Sequence, residues 1–219
     1  MTPLILAADT TSEFGSLALA RGNEIAEEVA IHAPDGFAHV LYAEMGALLR
    51  RAAIEIGQVD CFAAASGPGS FTGVRIGLAC VKGFAEATGK RVAGVSNLEA
   101  LATFGTAARR AAVIDARRGE VYTALYGADG MELEPERVVK LTAWLESLEG
   151  QVEFVTSDPG FNLSTTRFAR APVVLAPRNL ASAVAKIAFA RWQRGLALMP
   201  EALDANYVRR SDAELFWKD

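Results

Sequence analysis

One short pattern occurs twice in this 219-residue chain, and it limits the available folds more than any other feature. Leu4 to Ala8 form an apolar strand pattern closed by Asp9; Thr10, Thr11 and Ser12 turn, and Ser16 to Ala20 alternate again after Gly15. Further along, Ala111 to Ile114 run into Asp115, Arg117-Arg118-Gly119 turn, and Glu120 to Tyr126 alternate as a strand. Strand, acidic turn, strand is thus repeated in pattern rather than residue by residue, and further strand and helix patterns follow each copy. The repeat predicts two α/β lobes meeting at a cleft, residues 1–105 and 106–219, with the boundary between Thr103 and Arg110.

Within the first half, the run Gly67-Pro68-Gly69-Ser70-Phe71-Thr72-Gly73-Val74-Arg75-Ile76-Gly77 joins an apolar segment to a helical pattern. Glycine permits positive φ and close approach, while Pro68 fixes its own φ and lacks an N–H. Strand-to-helix turns of this kind receive phosphates in many proteins. The known templates fail by register here. A P-loop needs Lys where Val74 stands, the dinucleotide fingerprint needs Gly at Thr72, and a nucleophile elbow around Ser70 needs glycines at Pro68 and Thr72.

Leu41, Met45, Leu48, Leu49 and Ala52 recur at helical spacing, with Gly57 placed to stop that helix. Val59 to Ala65 reads as a buried strand, and Thr72 to Thr88 as the next helix. This second helix has two apolar stripes, Val74, Leu78, Val81, Ala85 and Ile76, Cys80, Phe84, Ala87, against a narrow polar strip of Arg75, Lys82 and Glu86. A helix apolar on most sides is buried on most sides, by its own chain or by a partner. Gly73 and Gly77, one turn apart, would let a second helix approach closely. In the second half, Val152 to Thr156 and Val173 to Ala176 read as strands, Phe161 to Arg170 as loop, and Leu180 to Arg194 as an amphipathic helix ending at Gly195. The tail from Pro200, with Tyr207, Phe216 and Trp217, is expected to return to the body of the protein.

The inventory of reactive groups is sparse. His32 and His39 form no metal-binding pair, and Cys61 and Cys80 have no CxxC spacing, so no metal site and no disulfide are expected. A net charge of −4 argues against a broad nucleic-acid surface and leaves only a local patch or a partner for any RNA role. No apolar run reaches the ~20 residues of a membrane span, and Asp9 interrupts the first apolar run, so a cytoplasmic location is expected. Ser70 is the best-placed nucleophile, with His39 the nearest base in sequence, but a serine there also caps the following helix. Asp9 and Asp115, at strand ends, suit either metal-bound phosphate chemistry or turn formation through side-chain hydrogen bonds. Arg117, Arg118 and Glu120 add charge to the second turn, where an anion or a partner carboxylate could pair.

These motifs together resemble the bacterial TsaB family, also called YeaZ. The matching residues are Ile5-Leu6-Ala7-Ala8-Asp9-Thr10-Thr11, the glycine run from Gly67 to Gly77, Gly94-Val95-Ser96, Ile114-Asp115-Ala116-Arg117-Arg118-Gly119-Glu120-Val121-Tyr122 and the terminal Tyr207-Val208-Arg209. The resemblance implies a duplicated actin-like, hexokinase-like α/β fold of the ASKHA, ribonuclease H-like class. It implies a non-catalytic partner of the related TsaD, acting with the ATPase TsaE in threonylcarbamoyl modification of the adenosine beside the anticodon in tRNAs reading codons that begin with A. TsaD would carry the metal-binding histidines, tRNA would be met mainly through the complex, and ATP or ADP would sit at the partner interface. It also implies a TsaD heterodimer, or a homodimer when the chain is alone, through two helices corresponding to about 38–56 and 72–88, with Leu41, Met45, Leu48, Gly73, Arg75, Ile76, Gly77, Cys80 and Phe84 as interface residues.

Two departures narrow that expectation. Many relatives carry a His-x-Glu segment where this chain reads Asp35-Gly36-Phe37-Ala38-His39, and the turn Asp9-Thr10-Thr11-Ser12 lacks the glycine of ATP-using members of the wider fold. That turn is therefore expected to be a vestigial nucleotide site. The rival readings are an independent kinase or ATPase using Asp9 and Asp115, and a serine hydrolase using Ser70.

Overall fold

The computed structural model describes residues 2–209. Chain order begins with an antiparallel meander, β1 (Leu4–Asp9), β2 (Phe14–Arg21) and β3 (Glu24–His32), and continues with α1 (Leu41–Arg51), β4 (Cys61–Ala65), α2 (Phe71–Thr88) and β5 (Arg91–Val95). The five strands form one sheet in the order β3-β2-β1-β4-β5, in which β4 lies parallel to both β1 and β5. After α3 (Asn97–Ala102) come β6 (Arg109–Asp115), β7 (Glu120–Gly127), β8 (Glu132–Lys140), α4 (Leu141–Ser147), β9 (Glu153–Thr156) and β10 (Val173–Leu175). Their sheet order is β10-β9-β6-β7-β8, with β6–β7 and β7–β8 antiparallel and β9 parallel to β6 and β10. Position for position this is the first sheet again. The fold is the duplicated actin-like α/β type, and the repeated pattern marks the first hairpin of each copy.

An acidic residue stands at the start of the second of the three parallel strands in both copies. Asp60, just before β4, accepts the Leu4 N–H at 2.9 Å; Glu153 in β9 accepts the N–H groups of Thr106 at 2.6 Å and Ala107 at 3.1 Å, just before β6. Each carboxylate thereby satisfies main-chain donors where the central strand enters its sheet.

The first sheet has chemically different faces, because successive strand residues point to opposite sides. Leu4, Leu6, Leu17, Leu19 and Phe62 pack with Leu41, Met45 and Leu48 of α1 and with Val74, Leu78 and Val81 of α2. The opposite face is built from buried small residues, Ala7, Ala18, Ala20, Ala63 and Ala65, together with Ile5. It is covered by α5 (Ala181–Gln193), which packs on β1, β2, β4 and β5 through a side carrying Ala181, Ala185 and Ala188. Alanine against alanine brings a helix close to a sheet with little void.

The described chain accordingly divides into residues 2–100 with 178–205, and 101–177 with 206–209. This corrects the expected division at 105/106: the last helix belongs to the first unit because its alanine-rich side matches the small face there. The second unit has its own core of Ala111, Val113, Leu125, Trp144, Leu145, Leu148 and Phe154. The expected loop 161–170 has no helix or strand, yet Leu163 and Phe168 are buried in that core. Of the tail, Leu203 is buried against the first unit, while Phe216 and Trp217 lie outside the described residues.

Helix α1 corrects a second expectation. It stops at Arg51 rather than at Gly57, which lies in a 3₁₀ turn, Ile56–Gln58. The stop is Ala53, at φ 54, with Ala53 N–H donating to Arg50 at 3.1 Å and Ile54 N–H to Leu49 at 3.0 Å. This is the hydrogen-bond pattern that glycine normally completes at a helix end. Replacing Ala53→Gly should therefore stabilise the chain by about 1 kcal/mol, the scale of the left-handed penalty on a side chain, measured as an increase in the urea midpoint at unchanged slope.

Candidate functional site

The Asp9 turn and the glycine run, far apart in sequence, form one buried assembly in the first unit. Starting from the loop, Gly67 N–H donates to Asn97 Oδ1 at 3.1 Å, and Asn97 Nδ2 donates to Thr11 Oγ1 at 2.7 Å. Thr11 Oγ1 then donates to Asp9 Oδ1 at 2.6 Å, and the Thr11 N–H reaches the same oxygen at 3.0 Å. Asn97 also returns its own N–H to the Gly67 carbonyl at 2.9 Å. Two further bonds close the assembly: Ser70 N–H to the Thr11 carbonyl at 2.6 Å, and Thr10 Oγ1 to the Gly73 carbonyl at 2.7 Å.

The glycines have their explanation here. A Cβ on Gly73 would collide with the Thr10 carbonyl, and one on Gly77 would lie 2.5 Å from Thr10 Oγ1. Both face the chain's own turn, leaving no room there for a second helix. Ser70 is the N-cap of α2, its Oγ accepting the Gly73 N–H at 3.3 Å, so the capping role is the one realised. Phe37–His39 form a 3₁₀ turn before α1, and the His39 side chain is exposed.

The expected interface residues need correction for the same reason. Leu41, Met45, Leu48, Gly73, Gly77 and Cys80 are buried within the first unit and offer no surface to a partner. Arg75 is exposed, and Ile76 and Phe84 are half-buried with their outer edges accessible. The outward face of the two helices is carried by residues that periodicity did not select: Tyr42, 61% exposed, with Ala43 on α1, and Phe71, Ala79 and Gly83 on α2. The Tyr42 and Phe84 rings lie 5.8 Å apart and connect the two helices across this face, while Arg75 covers the Phe71 ring at 3.7 Å. A sequence signal existed, since Ala43, Ala79 and Gly83 are small residues at helix positions where polar ones are usual.

The two repeated aspartates have opposite surroundings. Asp9 is buried, and burial raises its carboxyl above the ordinary 3.8, against lowering contributions from Thr11, Leu180 and Asn97 hydrogen bonds. Asp115 is exposed and accepts the Arg117 N–H at 2.9 Å, the same two-residue turn bond that Asp9 makes with Thr11. Turn formation is thus the common role. The residues of the Asp9–Ser12 turn do not fit a nucleotide phosphate: Thr10 and Thr11 are buried, their side chains bond within the chain, and Ser12 Oγ is bonded to Phe14. Burial pushes the thiols of Cys61 and Cys80 up to about 12 and about 11, which keeps both protonated. Among the described residues no three His, Cys, Asp or Glu side chains gather as a metal site, and no helix is long and apolar enough to cross a membrane.

A family profile described as TsaD, tRNA N6-adenosine threonylcarbamoyltransferase, matches residues 32–191. The chain is 33% identical over 150 residues to the tRNA threonylcarbamoyladenosine biosynthesis protein TsaB of Bacillus subtilis, covering 66% of each protein. It is 34% identical over 129 residues to the TsaB of Escherichia coli, covering 57% of this chain and 55% of that one. These matches span about half to two thirds of the length of the curated relatives. The solved structure of YeaZ from Pseudomonas aeruginosa superposes with a TM-score of 0.79 at 27% identity, covering 94% of this chain and 99% of that one.

Two outcomes test the assembly. Gly73→Ala should destabilise by about 3 kcal/mol through overpacking against Thr10, whereas Gly83→Ala, which meets open space, should stabilise by about 0.5–1 kcal/mol through helix propensity; denaturant titration of both decides it. For Asp9, the folded chain retains a proton that the unfolded chain releases between 3.8 and the raised value, so its contribution to stability is lost as pH rises through that window. The stability of Asp9→Asn relative to the parent should consequently improve as pH rises above 3.8, measured by urea unfolding at each pH.

Proposed function

This chain belongs to the TsaB (YeaZ) family, and from that membership we propose that it acts in threonylcarbamoyladenosine biosynthesis on tRNA, as the non-catalytic partner of a TsaD-like transferase. In this reading it works in the cytoplasm with TsaD-like and TsaE-like proteins to modify the adenosine beside the anticodon in tRNAs reading codons that begin with A. ATP or ADP belongs to the complex rather than to this chain, and an isolated chain pairs with its own copy.

The observation that carries the partner role is the outward face of α1 and α2. Tyr42, Ala43, Ile76, Ala79, Gly83 and Phe84 give it aromatic anchors separated by small residues. Aromatic side chains flanked by small ones favour close helix packing at an interface. The non-catalytic role is supported by the Asp9 turn, whose threonines and carboxylate are engaged with the glycine run and Asn97. The same engagement argues against the rival kinase or ATPase, and the capping of α2 by Ser70 argues against the hydrolase.

Reconstitution with TsaD-like and TsaE-like proteins tests the reading, with modified tRNA as the readout. Omitting this chain should abolish modification, and an undiminished rate without it would overturn the proposal. Ala79→Arg puts a long cation on the outward face without touching the core. It should weaken association with the TsaD-like partner about tenfold or more at an unchanged unfolding midpoint, as read by calorimetric titration and thermal melting.

A further inference from the structure

The second hairpin of the repeat is built unlike the first. At its tip Arg117, Arg118 and Gly119 follow one another at φ 67, 57 and 71. Three successive left-handed residues are favourable for glycine or asparagine and costly for arginine. The backbone conformation therefore does not account for two arginines; their side chains must.

The tip is held firmly from outside itself. The Ala116 carbonyl accepts from Arg209 at 3.1 Å, the Arg117 carbonyl from Glu120 N–H at 3.0 Å, the Arg118 carbonyl from Lys140 Nζ at 2.9 Å, and the Gly119 carbonyl from Leu141 N–H at 3.2 Å. Asp115 holds the Arg117 N–H. With every carbonyl from Ala116 to Gly119 bonded, the tip presents its side chains from a fixed base.

Those side chains point a net positive charge at solvent. The Arg117 side chain is 88% exposed, with Asp115 at 3.8 Å as its loose acidic neighbour. Arg118 is exposed, and its guanidinium has no partner among the described residues. Lys140 is exposed beside them, and Glu120, the other acid at the tip, already pairs with Arg209 and with Lys140. Among the described residues, the acids paired with Arg117, Lys140 and Arg209 are Asp115 and Glu120, in a chain whose overall charge is −4.

We propose that the Arg117–Arg118 tip is a phosphate-gripping surface that contacts the backbone of the RNA substrate. Guanidinium groups are matched to phosphate by their planar pair of donors, and a fixed base removes part of the ordering cost of binding. The contact positions RNA without reading its sequence. Naming RNA as the occupant rests on the tRNA-modification reading above; an acidic protein surface is the competing occupant, and the test separates the two.

Fluorescence anisotropy of the full chain with a labelled tRNA transcript is the direct measurement. Binding should be salt-sensitive and fall in the range of about 1–100 micromolar. The double variant Arg117→Gln with Arg118→Gln should weaken it about tenfold or more and reduce the slope of log affinity against log salt by about 1–2. Lys186→Gln with Arg194→Gln removes the same charge from exposed positions in the first unit and should leave affinity within about twofold. Thermal melting confirms that the variants are folded. Equal RNA binding by the tip variant, or no salt-sensitive binding by the parent, overturns the proposal, as does loss of TsaD-like partner association with RNA binding intact. Because binding is measured without modification chemistry, a chain that grips RNA through the tip but supports no modification defeats the functional reading alone. A chain that supports modification with an inert tip defeats this inference alone.

Discussion

The first unit depends on a single chain of donors that ends on the carboxylate of Asp9. Gly67 donates to Asn97, Asn97 to Thr11, and Thr11 to Asp9, and all of these groups are out of water. A buried polar network is favourable only when each member is satisfied, so its parts cannot be repositioned separately. It ties the end of β1 to the loop after β4 and to the start of α3. By fixing that loop it fixes the first turn of α2, which then lies so near Thr10 that only glycine fits at two of its positions. The face that α2 turns outward follows from the face it must turn in.

The two copies of the hairpin show how one backbone plan is put to different ends. Both keep the aspartate-to-second-residue bond, Asp9 with Thr11 and Asp115 with Arg117. In the first copy short hydroxyl side chains follow the aspartate and are drawn inward by the glycine run. In the second, arginines follow it and stay in solvent, while the carbonyls around them are taken by Arg209, Lys140 and Leu141. Side-chain length and charge separate a packed turn from a displayed one.

Much of this was legible in the residues, and the failures have physical causes. The repeat, the strand–turn–helix at Gly67, the Ser70 cap and the span of α2 follow from local pattern, which needs no knowledge of neighbours. The pair Gly73 and Gly77 predicts close approach of a second helix, but a missing side chain does not say what approaches; the neighbour is Thr10, distant in sequence. The family resemblance implies an interface role for Leu41, Met45 and Leu48, but their spacing measures burial, whether by self or by another chain. Asn97 gives no signal in the sequence, since one amide acquires meaning only when two loops meet across it. The end of α1 is not legible from Gly57 because Ala53 adopts a conformation that composition assigns to glycine.

Helix α5 carries a consequence for the order in which the protein comes into being. The alanine face of the first sheet is sealed by residues 181–193, so residues 4–95 leave the ribosome before their cover and emerge with one side of the sheet unfinished. Most of the second unit, residues 101–177, lies between that sheet and its cover in the sequence, and closing so long a loop slows formation of the contacts that need it. The first sheet thus waits for its cover until most of the second unit has been made, and in that interval its open apolar face is guarded by the smallness of its side chains.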